Sequence, residues 1–156
     1  MMQRDNAVEA VIFVGLQGAG KSTFYKERFF TTHMRINLDM LKTRHREKRL
    51  VQTCIETSQP FVVDNTNATK AEREVYIRAA KDAGFRLVGY YFQSKVEDCK
   101  RRNDQRPLAQ QVPLKGILGT AGRMELPSRG EGFDDLFYVR IDQANGFAIE
   151  EWKDEI

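Results

Sequence analysis

The chain has 156 residues, of which 41% are hydrophobic and 30% charged, and its formal net charge is +3. This composition excludes a disordered chain and a membrane-spanning one as global descriptions, and the small net charge excludes a uniformly basic surface. The length fits one domain, which usually runs about 100–200 residues, so residues 1–156 are read as a single unit.

Residues of mixed charge precede the apolar run Ala10 to Leu16. That run is far short of the roughly 20 apolar residues of a membrane helix and lacks a basic, signal-like start. It reads as a buried first strand, Val8 to Val14, in a cytoplasmic protein with no membrane contact and no evident obligate protein partner. A helix is predicted over Lys21 to Phe30, and a short strand over Met34 to Leu38. A long helix follows over Asp39 to Thr57, closed by Pro60. Phe61 to Val63 is a buried strand ending at Asp64. Thr69 with Glu72 has capping-box spacing and opens a helix that stops at Gly84. Leu87 to Phe92 is a fourth strand, and Ser94 with Glu97 has the spacing to cap a fourth helix. Val112 to Met124 reads as a fifth helix and Leu136 to Ile141 as the last strand, with Phe147 to Trp152 ambiguous. Cys54 and Cys99 lack metal-binding or disulfide-framework spacing and read as reduced, partly buried thiols.

Strands alternating with helices imply a three-layer α/β sandwich. Its mostly parallel sheet would have about five strands, flanked by helices. Ligands bind such sheets at the carboxyl ends of the strands, so the segments after each strand hold the candidate site. The first of these, Gly15 to Ser22, matches GxxxxGK[ST] between a strand and a helix. Glycines let backbone N–H groups turn inward around an anion, and the helix start adds favourable partial charge. The candidate contacts to ATP are Gly15, Gln17, Gly18, Ala19, Gly20, Lys21, Ser22 and Thr23. Lys21 reaches the β/γ-phosphates and the Ser22 hydroxyl binds Mg²⁺.

Asp64 ends an apolar strand, where a second Mg²⁺-organising group belongs. Asn65 beside it is a candidate acceptor contact. Asp39 follows the second strand and can accept the proton of an attacking hydroxyl, or can simply cap the helix. Lys42, Arg46 and Arg49 lie three, seven and ten residues after Asp39. On one continuous helix they share its face and suit a phosphorylated or polynucleotide acceptor, with Lys42 and Arg46 as candidate acceptor contacts. A second arginine cluster places Arg102 and Arg106 four residues apart, in a segment around 100–113 suited to a lid. Arginine supplied in cis can neutralise the transferring phosphoryl group.

With these pieces in order, the sequence resembles a P-loop kinase of the polynucleotide 5′-hydroxyl kinase type, in the AAA-type group that includes zeta-toxin-like kinases. The resemblance runs through GLQGAGKSTF, LDML, VVDNTNAT, KDAGF, KRRNDQRP, the following Val112-Pro113 and GEGFDDLFYVRI. It implies the P-loop NTPase fold, with Lys21 and Ser22 on ATP and Mg²⁺, Asp64 organising the metal, and Asp39 as general base. It also implies Arg106 on the transferring phosphoryl group and Arg102 on nucleotide phosphate. Lys42 stands where some members carry arginine, and Leu38 where several do; lysine is a point charge without the bidentate fork. The function implied is transfer of the γ-phosphate of ATP to a hydroxyl, with DNA or RNA 5′ ends as the first acceptor. A small-molecule or nucleoside-like hydroxyl remains open because the chain is short. A nucleotide-binding ATPase or sensor without an acceptor is a third reading.

Overall fold

The computed structural model describes residues 7–154. Six strands, one more than expected, form one sheet in the order β2-β3-β1-β4-β5-β6. They are β1 (Glu9–Val14), β2 (Met34–Ile36), β3 (Phe61–Val63), β4 (Arg86–Phe92), β5 (Asp135–Ile141) and β6 (Phe147–Glu151). The first five are parallel where they pair, and β6 adds antiparallel to β5. The added strand is the ambiguous Phe147 to Trp152 tail. The Asp142–Gly146 turn folds it back so that Phe147 pairs with Ile141.

Strand alternation sends side chains to two cores. Ala10, Ile12 and Val14 face one layer with Val51, Cys54, Tyr76 and Ile77. Val11 and Phe13 face the other with Phe24, Phe29, Cys99 and Ile117. Helices α3 (Arg44–Thr57) and α4 (Lys70–Asp82) therefore cover one face, and α1 (Lys21–Arg28), α5 (Val96–Asp104) and α6 (Leu114–Arg123) cover the other. Both cysteines are buried and free, and burial pushes both thiols up from their ordinary pKa. No helix among the described residues is long and apolar enough to cross a membrane.

Two local readings are corrected. The long helix expected over Asp39 to Thr57 is two helices, α2 (Leu38–Leu41) and α3. Asn37, not Asp39, caps α2, its side chain accepting the Met40 N–H at 2.9 Å. Lys42 then takes φ 74°, and Thr43 caps α3 by accepting the Arg46 N–H. Two good cap residues, Asn37 five positions before Lys42 and Thr43 one after it, thus outcompete continuous helical spacing. Ser94 does not cap α5. Its hydroxyl donates to the Phe92 carbonyl and accepts the Leu16 N–H at 3.0 Å, so it ties the end of β4 to the loop after β1. Thr69 does cap α4, accepting the Glu72 N–H.

The segment after β3 is the junction of the fold. Asn67, at φ 45°, donates from Nδ2 to the Phe13 carbonyl at 2.7 Å. The Thr66 carbonyl accepts the Gly15 N–H at 3.0 Å. Arg73 of α4 is fully buried and donates to the Asn67 carbonyl. Its Nε and Nη2 form a two-pronged contact with Glu131, at 2.8 and 3.3 Å. Glu131 sits in a 3₁₀ turn, Arg129–Glu131, where it closes a capping box with Ser128. Breaking a buried pair from one side costs about 3–5 kcal/mol, because the remaining charge loses its partner. Arg73→Met should therefore lower the unfolding free energy from urea titration by that order. An unfolding free energy within about 1 kcal/mol of wild type would show that the pair does not hold the junction.

Candidate active site

The loop from Gly15 to Gly20 leaves β1 and enters α1. Gly18 and Gly20 both take the left-handed region, at φ 83° and 97°. A Cβ on Gly18 would lie 2.3 Å from the Cys99 carbonyl oxygen, so the loop packs directly on the α5 backbone. Gly20 caps α1 without a side chain, which leaves the first N–H groups of the helix free for an anion.

Lys21 folds its ammonium onto the loop it follows. Nζ donates to the Gly15 and Leu16 carbonyls at 2.9 and 2.7 Å. Withdrawal from water lowers its pKa to about 8. The carboxylates of Asp64 and Asp39 oppose that shift, and Arg106 adds to it. Those three groups act on Lys21 because they line one cleft of about 320 Å³ with it.

Ser22 donates to Asp64 Oδ2 at 3.2 Å, and the Asp64 side chain is only 2% exposed. Two hard oxygens side by side at the end of a phosphate loop suit Mg²⁺, which takes few protein ligands and completes its shell with water and phosphate. The donor set therefore fits the metal that the sequence implies. Asp39 stands exposed in the first turn of α2 and lines the cleft. Its backbone is set by Asn37, which donates to the Asp64 carbonyl at 2.6 Å. Asn65 also sets it, accepting the Leu38 N–H at 2.9 Å. Asn65 donates in turn to the buried Glu47 at 3.0 Å, so it anchors α2 to α3 while lining the cleft.

Arg106 and Gln110 close the cleft from the far side. The segment carrying them leaves α5 and returns at Val112. There the buried Asn103 side chain bonds both the Val112 carbonyl and the Val112 N–H, at 2.7 and 2.9 Å. A 3₁₀ turn, Leu108–Gln110, forms the tip, and Leu108 is 85% exposed. Gln17 lines the cleft beside the loop; its Nε2 donates to Thr120, and its buried Oε1 has no partner.

The structure thus brings together Gln17, Lys21, Ser22, Asp39, Asp64, Asn65 and Arg106. Other expected residues lie elsewhere. Arg102 points at the loop backbone, donating to the Gly18 carbonyl at 3.2 Å. Lys42 and Arg46 lie off the cleft wall, because the break at Lys42 ends the shared helix face; Arg46 turns back to the Leu41 carbonyl. Arg44 enters the cleft instead, with Glu72 and Asn37. Arg35 was missed altogether. It donates to Asp64 from Nε and to Ser22 from Nη2, both at 2.9 Å. The signal was a charged residue beside the buried Ile36 on a short apolar strand.

Family and structure comparisons agree with this architecture. The AAA domain family AAA_33 matches residues 11–127. A curated relative, the bifunctional polynucleotide phosphatase/kinase of Schizosaccharomyces pombe (strain 972 / ATCC 24843), is 27% identical over 132 residues. The match covers 82% of this chain but only 32% of that protein, so the chain spans about a third of the relative's length. A gluconokinase from Sinorhizobium meliloti 1021 superposes with a TM-score of 0.62 at 17% identity, covering 87% of this chain and 84% of its own. A chain of the Pnkp1/Rnl/Hen1 RNA repair complex superposes with a TM-score of 0.63 at 20% identity, covering 75% and 44%. At these identities the superpositions speak for the fold. The chain belongs to the AAA domain family AAA_33.

Proposed function

We propose that this protein is an ATP- and Mg²⁺-dependent kinase that moves the γ-phosphate of ATP to a hydroxyl, and that the hydroxyl is the 5′-OH of a polynucleotide. The observation that carries the reading is the convergence of Lys21, Asp39 and Arg106 on one cleft at the mouth of the phosphate loop. The acceptor assignment is supported by the DNTN segment and by the curated relative, a polynucleotide phosphatase/kinase. A passive nucleotide binder needs neither a carboxylate opposite the loop nor an arginine across it.

In this reading the loop N–H groups and Lys21 hold the β- and γ-phosphates, with Gly15, Gly18, Ala19 and Gly20 shaping the backbone. Thr23 follows at the start of α1. Ser22 and Asp64 hold Mg²⁺, which when bound neutralises charge on the phosphate oxygens. Asp39 orients the acceptor hydroxyl and takes its proton as the oxygen bonds to the γ-phosphorus. The bond from that phosphorus to the β-phosphate oxygen breaks, ADP leaves, and Asp39 returns the proton to water. Arg106 offsets charge on the equatorial oxygens. Arg102 reaches nucleotide phosphate only by leaving the Gly18 carbonyl, and the 104–111 segment closes as a lid pivoting on Asn103. Asn65 holds the acceptor side, and Lys42 and Arg46 contact a polynucleotide beyond the cleft.

A panel of acceptors with γ-labelled ATP tests this. Labelled 5′-OH DNA or RNA oligonucleotides are the expected outcome. Asp39→Ala should lower transfer about 10²- to 10⁴-fold while ATP affinity holds. Label only on nucleosides, 3′-mononucleotides or sugars would keep the mechanism and discard the polynucleotide acceptor. Loss of ATP binding in Asp39→Ala would sink the role given to that carboxylate.

Lys21 gives a pH signature. Its free-state pKa of about 8 leaves it mostly neutral at pH 9, and phosphate oxygens beside it raise that pKa again. ATP binding at pH 9 should therefore take up close to one proton, and affinity should fall as pH rises above about 8. Calorimetry in buffers of unlike ionisation enthalpy reads the uptake, which Lys21→Met should abolish. Identical heats across buffers for wild type would refute it.

A further inference from the structure

Arg35 makes contacts that the phosphate chemistry does not require. It lies in β2, the edge strand, and points toward the cleft end of the sheet. Its Nε donates to Asp64 Oδ2 and its Nη2 to Ser22 Oγ, both at 2.9 Å, while Ser22 itself donates to the same Asp64 oxygen. Its guanidinium also stands 5.9 Å from the Tyr25 ring centre. The two oxygens it holds are those assigned above to Mg²⁺, and this inference rests on that assignment.

We propose that Arg35 is the resident cation of the metal site: it neutralises Asp64 in the nucleotide-free protein and must leave before a divalent ion enters. The geometry sets the two cations against each other. Mg²⁺ binds oxygen at about 2.0–2.1 Å, so an ion on Ser22 and Asp64 would stand within a few ångströms of a guanidinium on the same atoms. Like charges at that separation repel, and hydrogen bonds to the same oxygens weaken once those oxygens give electron density to a metal. Asp64 in turn cannot stand alone, because a buried carboxylate without a partner is costly. One cation is thus exchanged for another, and the carboxylate stays paired throughout. Arg35 has room to leave: its side chain is 27% exposed against 2% for Asp64. Nucleotide phosphates supply anionic charge that favours the incoming ion over the guanidinium, so metal enters with nucleotide rather than ahead of it.

Electron paramagnetic resonance of Mn²⁺ with the nucleotide-free protein tests this without any turnover. Arg35→Gln should bind Mn²⁺ about tenfold more tightly than wild type, the equivalent of one charge-assisted hydrogen bond removed from competition. Arg35→Lys, which keeps the charge but loses the fork, should fall between them. The melting temperature of Arg35→Gln should rise with millimolar MgCl₂ while that of wild type stays put. Mn²⁺ affinity equal to or weaker than wild type in both variants would overturn the proposal, and if Arg35→Gln does not fold, the Arg35→Lys comparison decides alone. Asp64→Asn separates this proposal from the reading beneath it. Mn²⁺ affinity unchanged in Asp64→Asn would remove the metal site itself. Loss of Mn²⁺ binding in Asp64→Asn, with no gain in either Arg35 variant, would overturn only the role of Arg35.

Discussion

The site depends on the four residues that follow β3. A strand ending in Asp64-Asn65-Thr66-Asn67 has to deliver one carboxylate to the cleft and still satisfy the backbone groups of three neighbouring elements. Asn67 does this by entering the left-handed region, which asparagine tolerates better than most residues, and by bonding the Phe13 carbonyl. Thr66 receives the Gly15 N–H, and Asn65 and Asp64 between them hold both ends of the α2 entry. Arg73 and Glu131 clamp the segment from beneath. The relative placement of phosphate loop, the Ser22 and Asp64 oxygens and Asp39 is therefore fixed by side-chain-to-backbone bonds of one short loop, not by the sheet alone.

The two walls of the cleft differ in how they are held. The phosphate-loop wall is tight: Gly18 has no room for a Cβ, Ser94 receives Leu16, and Arg102 reaches the Gly18 carbonyl from α5. The wall that carries Arg106 is held at its neck by one asparagine and by Gln111, whose side chain donates to the Asp104 and Arg106 carbonyls. Its tip exposes Leu108, and few apolar contacts tie it down. Local opening free energy follows buried contacts, so the Arg106 wall has less to hold it than the phosphate-loop wall. That asymmetry suits the lid proposed above.

Much of this was legible in the sequence because the signals were local. Gly15 to Ser22 lies between a strand and a helix and carries its own spacing, and Asp64 ends an apolar run. Asn103 and Arg106 belong to one short segment. What escaped was long-range or competitive. Ser94 looked like a helix cap, yet the Leu16 N–H, far away in sequence, claims its hydroxyl. The helix from Asp39 to Thr57 looked continuous because helical spacing survives a break, whereas Asn37 and Thr43 each nucleate their own turn. Arg35 had no motif at all; only the fold brings β2 alongside Ser22 and Asp64. The sixth strand depended on the turn at Asp142, where the side chain accepts the Ala144 and Gly146 N–H groups.

The break at Lys42 also reshapes the acceptor side. On a continuous helix, a basic stripe would have run straight away from Asp39. Instead, α3 restarts at Arg44, whose guanidinium reaches Glu47 at 2.9 Å and Tyr76 at 3.2 Å while lining the cleft. Glu47 is buried and also receives Asn65, so Arg44 is held by a network that continues into the DNTN loop. A larger groove of about 670 Å³ between α3 and α4 meets the cleft at Arg44 and Glu72. The first positive group on this side of the cleft is therefore an exposed arginine paired with a carboxylate, while Lys42 and Arg46 line no part of it. Positioned charge orients a bound group, whereas solvated charge acts through screened attraction that salt removes. In the proposed kinase reading, orienting the acceptor and attracting it would thus fall to different residues of the same short segment.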